Sequence, residues 1–349
     1  MTESIKKIFD DWLKEENSEF SGVFSVSGVD GVIFEHTDGY RNKAEKLANI
    51  SDTVFGIASG TKLFTGLAVC KLIDEGKLSL EDKLCDVLPY ELGQIDKEII
   101  IKQLLTHTSG VGDYIDEDAG DCDEQLQKLY DTYPVQLWTR LEYYLQMITP
   151  LSPKFKPGER YGYSNSGYIL LGLVVEAVSG VQYQQFVNDN IFSPCIMMRT
   201  GFYRSDSLPN NTSYGYIKDD ESGDWRTNHF SLPVVGGSDG GLFTCAEDMD
   251  KLWRAVFANN ILSESMTTAF LKSYVVIDDE GDGNGESYGL GVYHYKDNEK
   301  LVHFAVGGDS GVGFCTAYYP KTKTVISCFS NTGWLSFYGL IGKLLGVLG

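Results

Sequence analysis

The opening stretch MTESIKKIFDDWLKEENSEF carries Ile5, Ile8, Phe9 and Trp12 at helical spacing with charges between them, which predicts an amphipathic packing helix. GVFSVSGVDGVIFEHTDGY then alternates apolar and polar positions about Val29-Asp30-Gly31, the pattern of a β-hairpin, so a sheet begins here. From Thr61 to about Glu75 the apolar positions Leu63, Phe64, Leu67, Cys70 and Ile73 return to helical spacing, and Gly76 ends the run. Residues 77–230 are mostly helical pattern broken by loops rich in Pro, Gly and Asp, including DYIDEDAGDCDEQ at 113–125. From about residue 286 strand patterns resume in YGLGVYHY, KLVHFAVGG, VGFCTAYY and TVISCFSN, and a last helix starts near Trp334. Strands at both ends with helices between predict an α+β fold: an antiparallel sheet flanked by helices, closed by the chain termini, with an inserted all-α domain. The expected division is 1–76 with 231–349 for the sheet domain and 77–230 for the helical one, the active site lying between them.

Composition narrows the partners. The chain has 349 residues, 42% of them hydrophobic, enough for a sizeable core. Its formal net charge is −20, with acidic residues spread along the chain, so nucleic acid and anionic membrane surfaces are disfavoured as partners. Small-molecule or short-peptide substrates fit better. No apolar h-region follows the first helix and no run is long enough to span a bilayer. The seven cysteines are odd in number, scattered and free of any Cys-x-x-Cys pair, which reads as reduced thiols in a cytoplasmic protein without a zinc site.

The candidate chemistry centres on FGIASGTKLF at 55–64, where Ser59 and Lys62 stand three residues apart at a helix start. One turn of helix brings such a lysine amine within reach of the serine hydroxyl. A hydroxyl with a base beside it is an activated nucleophile, provided burial or neighbouring charge favours the neutral amine. Alone, the spacing also fits a solvated helix face. A second segment, FKPGERYGYSNSGYILLGLVVEAVSG, places Tyr163 and Asn165 just before a long helix. They would supply a proton shuttle and a substrate-holding amide, or simply pack and cap that helix.

Together with IDEGKLSLEDKL at 73–84, IIIKQLLTHTSGVGDY at 99–114 and GGSDGGLFTCAEDMDKL at 236–252, these segments resemble, in order, the serine β-lactamase-like family. That family includes class C β-lactamases, D-alanyl-D-alanine carboxypeptidases, D-amino-acid amidases and related esterases. The resemblance covers about residues 20–345. It implies Ser59 as the acylated nucleophile, Lys62 as its proton acceptor, Tyr163 as the relay to the leaving atom and Asn165 as the amide touching substrate. It also implies an oxyanion hole from the Ser59 N–H and a residue near Gly308, with Gly307 and Gly308 beside the substrate, and neither metal nor cofactor. The third motif departs from the family. Where members carry Lys-Thr-Gly or His-x-Gly, HFAVGGDSG puts Ala305 at the basic position of the triplet Ala305, Val306, Gly307. His303 lies two residues earlier on the same strand face and is the candidate to reach the site in its place. The implied activity is that of a serine hydrolase acting on an ester, amide or D-residue-containing peptide. The alternative is a catalytically weak penicillin-binding-like sensor that keeps the pocket.

Other features take plainer readings. His107 in LLTHTSG reads as a hydrogen-bonding structural histidine. The acidic DDEGDGNGE at 278–286 has Gly289 where an EF-hand requires glutamate, and reads as a solvated hairpin connection. GGSDGG at 236–241 lacks the Lys-Ser/Thr of a phosphate loop, and its glycines suit close backbone approach. Ser238 and Asp239 resemble a Ser-Asp-Asn motif with Gly240 at the Asn position.

Overall fold

A computed structural model describes residues 1–16, 20–120, 122–219, 222–281 and 283–349. The end of the first helical pattern (17–19), Asp121 of the acidic loop and Asp282 of the acidic connection lie outside the described residues, as do Asp220 and Glu221. The first helix, α1 (Thr2–Glu16), buries Ile5, Phe9 and Trp12 along one face, as its spacing predicts. The hairpin follows as β1 (Gly22–Gly28) and β2 (Gly31–Asp38). After it come the helices α2 (Thr61–Asp74), α3 (Asn165–Ser179) and α4 (Ala246–Phe257). The chain then lays down β3 (Val275–Gly281), β4 (Asn284–Tyr288), β5 (Tyr293–Asp297), β6 (Lys300–Asp309), β7 (Val312–Tyr319) and β8 (Thr324–Ser330), and ends in α5 (Phe337–Leu348).

These eight strands form one antiparallel sheet in the order β2-β1-β8-β7-β6-β5-β4-β3. The joint between the two ends of the chain is the β1–β8 pair, with Phe24 opposite Cys328. Strand alternation separates two cores. Phe24, Phe304, Cys315 and Ile326 point to the outer face, where α1 and α5 cover them and Phe9 stacks on Phe24 at 4.4 Å between ring centres. Val23, Ala305, Phe314 and Phe329 point to the inner face, against α2 and α4. Helix α2 is buried on nearly all sides, which is why its apolar positions outrun a simple amphipathic stripe. Gly76 ends it at φ +68°, a left-handed conformation that glycine takes at least cost.

Between α2 and α4 the segment is mostly helical and adds a small hairpin, Tyr216–Lys218 with Trp225–Thr227. On either side of Asp282 the acidic stretch is more ordered than its composition suggests. Its two arms are the paired ends of β3 and β4, because ladder hydrogen bonds satisfy the backbone while carboxylates on an edge strand stay in water. Among the described residues no single helix is long and apolar enough to cross a membrane.

Candidate active site

Ser59, the candidate nucleophile, sits on a tight turn. Phe55–Gly56 pairs with Phe243–Thr244, and the chain then winds through a 3₁₀ turn, Ala58–Gly60, into α2. Ala58 takes φ +44°, uncommon for a residue with a side chain and a sign of local strain next to Ser59. The turn is pinned by a bond from the Gly60 N–H to the Ile57 carbonyl at 2.8 Å and from the Thr61 hydroxyl to the Ala58 carbonyl at 2.8 Å. Strand β6 lies flat against it at Gly307. A Cβ there would stand 2.1 Å from the Ile57 oxygen and 3.0 Å from the Ser59 nitrogen, so only glycine permits this approach.

Lys62 is 3% exposed and its ammonium is 3.0 Å from Ser59 Oγ, 2.7 Å from Asn165 Oδ1 and 2.7 Å from the Asp239 carbonyl. Two acceptors therefore hold two of its N–H bonds, and the third position points at the serine. In the neutral amine that position is a lone pair, which is what a proton acceptor requires. Burial lowers the Lys62 pKa, against the opposing pull of carboxylates led by Asp239, Glu117 and Asp113.

The Tyr163 ring lies 4.8 Å from the Lys62 nitrogen, and Tyr163 borders the same small space as Ser59 and Lys62. Burial, with Glu117 second, holds the Tyr163 pKa well above that of an ordinary tyrosine, so it rests as a phenol. Asn165 opens α3. Its backbone N–H and that of Ser166 both donate to the Asp113 carboxylate, at 2.8 and 2.9 Å, and Ser164 caps the helix by accepting from the Gly167 N–H at 3.0 Å. His107, buried, with φ +55°, accepts from the Ser164 N–H at 3.1 Å and lies 4.5 Å from the Tyr163 ring. It thus holds the Tyr163–Asn165 loop.

Ser59, Tyr163, Asn165, Gly307 and Gly308 line one large cleft of about 1210 Å³. A family model described as Beta-lactamase matches residues 9–334. The chain belongs to the beta-lactamase family. It is 28% identical over 326 residues to Penicillin-binding protein 4* of Bacillus subtilis, covering 89% of this chain and 68% of that one. Against Protein flp of Staphylococcus aureus it is 33% identical over 182 residues, which is 51% of this chain and 34% of that protein, so it spans about a third of that relative's length. The solved penicillin binding protein of Bacillus halodurans is 37% identical with a TM-score of 0.86, covering 98% of this chain and 99% of that one. A D-stereospecific amidohydrolase of Streptomyces sp. shares the fold at a TM-score of 0.82 and 23% identity, over 98% and 97% of the two chains.

This beta-lactamase family member has no cation at the Ala305, Val306, Gly307 triplet of β6. Ala305 is buried and borders only a small space beside Ser59 and Lys62, while Val306 lines the wide cleft. His303 does share the inner face with Ala305 and Gly307, as alternation predicts, yet it does not reach the cleft. Its ring nitrogen is 2.7 Å from that of His294 on β5 and its ring packs on Phe257 of α4 at 5.5 Å. Four residues along a strand put it about 13 Å from Gly307, beyond side-chain reach of the serine.

Three contributors had escaped the sequence reading: Asp113, the Asp239 carbonyl and Tyr114, whose hydroxyl donates to the Asp239 carboxylate. They lie in the segments LLTHTSGVGDY and GGSDGG. The missing signal was long-range contact. Among the described residues no group of metal-ligating side chains is found.

Proposed function

We propose that this beta-lactamase family member is a serine hydrolase that works through an acyl-enzyme on esters, amides or short peptides containing D-residues. The observation that carries the reading is the Lys62 nitrogen 3.0 Å from Ser59 Oγ, with its other hydrogens engaged by Asn165 and Asp239. Ser59 Oγ attacks the carbonyl carbon as its proton passes to neutral Lys62. Negative charge on the carbonyl oxygen is met by the Ser59 N–H and an N–H of β6 at Gly307 or Gly308. Tyr163, resting protonated, gives its proton to the departing oxygen or nitrogen and regains one from Lys62. Water then attacks the acyl-serine and the steps run in reverse. Asn165 binds the substrate amide while its side-chain oxygen steadies Lys62.

The same proposal includes the division of the chain at 76/77 and 230/231. A cytosolic setting also belongs to it, supported by an odd set of scattered cysteines. A fluorophosphonate probe with peptide mass mapping should mark Ser59. Full activity in Ser59→Ala, with the wild-type protein unlabelled, would overturn the mechanism.

One observation favours a second reading. With no cation at the Ala305, Val306, Gly307 triplet of β6, a penicillin-like carboxylate finds no partner there, which suits a sensor that acylates once and releases slowly. Steady turnover of p-nitrophenyl acetate, lost in Ser59→Ala, decides for the hydrolase, whereas a single stoichiometric burst decides for the sensor.

A further inference from the structure

The cleft carries charge of one sign close to the nucleophile. Asp309 follows Gly307 and Gly308 on β6 and shares the Ser59-facing side of that strand with Gly307. Glu117 stands on the other wall, where its carboxylate accepts from the Asn165 amide at 3.3 Å. Both line the cleft, and among the described residues neither makes an ion pair. The lysine and arginine that line the same cleft lie on the small hairpin 216–218/225–227 and have contacts of their own. Lys218 faces the Trp225 ring, and Arg226 donates to the Ser231 hydroxyl at 3.2 Å.

Asp309 is exposed at the end of its strand and open to the cleft. Desolvation within the cleft and the carboxylates of Asp239 and Glu117 push its pKa up to about 7, against a hydrogen bond from the Ser310 N–H and the pull of Lys62. A second, independent feature lies beside it. One residue after the position where the family carries a cation, Val306 lines the cleft with Trp334 and Tyr338, and the Trp334 ring packs over Gly308 so closely that a Cβ there would stand 2.8 Å from it. Trp334 is 47% exposed and Tyr338 43% exposed. Such a wall offers ring faces and no positive charge, a surface that attracts ammonium groups and gives a carboxylate nothing to pair with.

We propose that the cleft selects acyl donors bearing a cationic amine, held between the carboxylates of Glu117 and Asp309, and disfavours donors bearing a carboxylate. This rests on Ser59 being the acylated residue. The amine is the chemistry of an unblocked amino-acid amide or peptide N-terminus. Binding it would supply the missing counter-charge to Asp309 without altering the acyl-transfer steps themselves.

The test follows fluorophosphonate labelling of Ser59 in the full chain and its slowing by three ligands. These are D-phenylalaninamide, its N-acetyl derivative and its N-succinyl derivative, which are cationic, neutral and anionic. The cation should protect at about tenfold lower concentration than the neutral ligand, the scale of one charge-assisted contact, and the anion should protect least. In Glu117→Gln and Asp309→Asn the cation-to-neutral ratio should fall towards one, which a merely structural role for these side chains does not predict. Equal protection by all three ligands, or an unchanged ratio in both variants, overturns the proposal while leaving the hydrolase reading intact. No labelling at Ser59 at all brings down both.

Discussion

At the scale of single residues, the site depends on how one buried amine is held. Lys62 keeps two N–H bonds on carbonyl oxygens and turns its third position to Ser59, so in the proposed mechanism its lowered pKa and its direction serve the same step. Acylation should therefore slow as the pH falls, because protonated Lys62 cannot accept the serine proton. A rate flat across the acidic and neutral range would argue against it as base. Lys62→Met should lower the rate by about 10²–10⁴-fold, the usual worth of a positioned base, with the fold retained. Gly307 gives a steric counterpart. In Gly307→Ala the new methyl meets the Ile57 carbonyl at 2.1 Å, and the shift should cost about 1–3 kcal/mol in denaturation and abolish Ser59 labelling. The Ser59, Lys62, Tyr163 and Asn165 set was legible because its members lie within two short segments with fixed spacing. Asp239 was not, because its backbone oxygen meets Lys62 across 177 residues.

At the scale of elements, helix α3 and strand β6 show what local pattern conveys and what it omits. The long apolar run after Asn165 announces α3, but the carboxylate that holds its first two N–H groups comes from Asp113, in a loop fifty residues earlier. Burial pushes Asp113 up to about 7 against those same hydrogen bonds. Asp113→Ala should destabilise the protein by about 1–2 kcal/mol and displace Asn165, while Asp113→Asn, which keeps one acceptor oxygen, should cost less. A calorimetric melt with a kinetic assay separates the two variants. For β6, alternation gave His303 its correct face, but only the neighbouring strand could reveal its partner. His294 and His303 are buried and neutral, their pKa values lowered to about 4 and about 3, first by desolvation. The unfolded chain takes up these protons from about pH 6.5 downward, so the pair contributes stability that is lost as the pH falls. His303→Leu should flatten that loss in urea titrations on the acid side. A slope identical to wild type would show that the pair does not titrate as described.

At the scale of the whole molecule, the strand patterns at both ends predicted a sheet shared by the two termini, and Gly22 indeed pairs with Ser330. The prediction worked because alternation marks a half-buried strand wherever it lies in the chain. The edge hairpin of β3 and β4 was harder to read, since carboxylates on an exposed edge mimic a loop. That end-to-end pairing bears on how the protein is made. A ribosome delivers β1 and Ser59 early, yet β1 finds its inner neighbour, β8, only when the last strands have emerged, and β6, which closes the turn around Ser59, arrives nearly as late. Pairing of such distant segments is slow, and the waiting strands need protection from aggregation. It also follows that a nascent chain or one ended before β6 holds its serine without the β6 backbone beside it, so acylating power should appear only once the chain has been made past that strand.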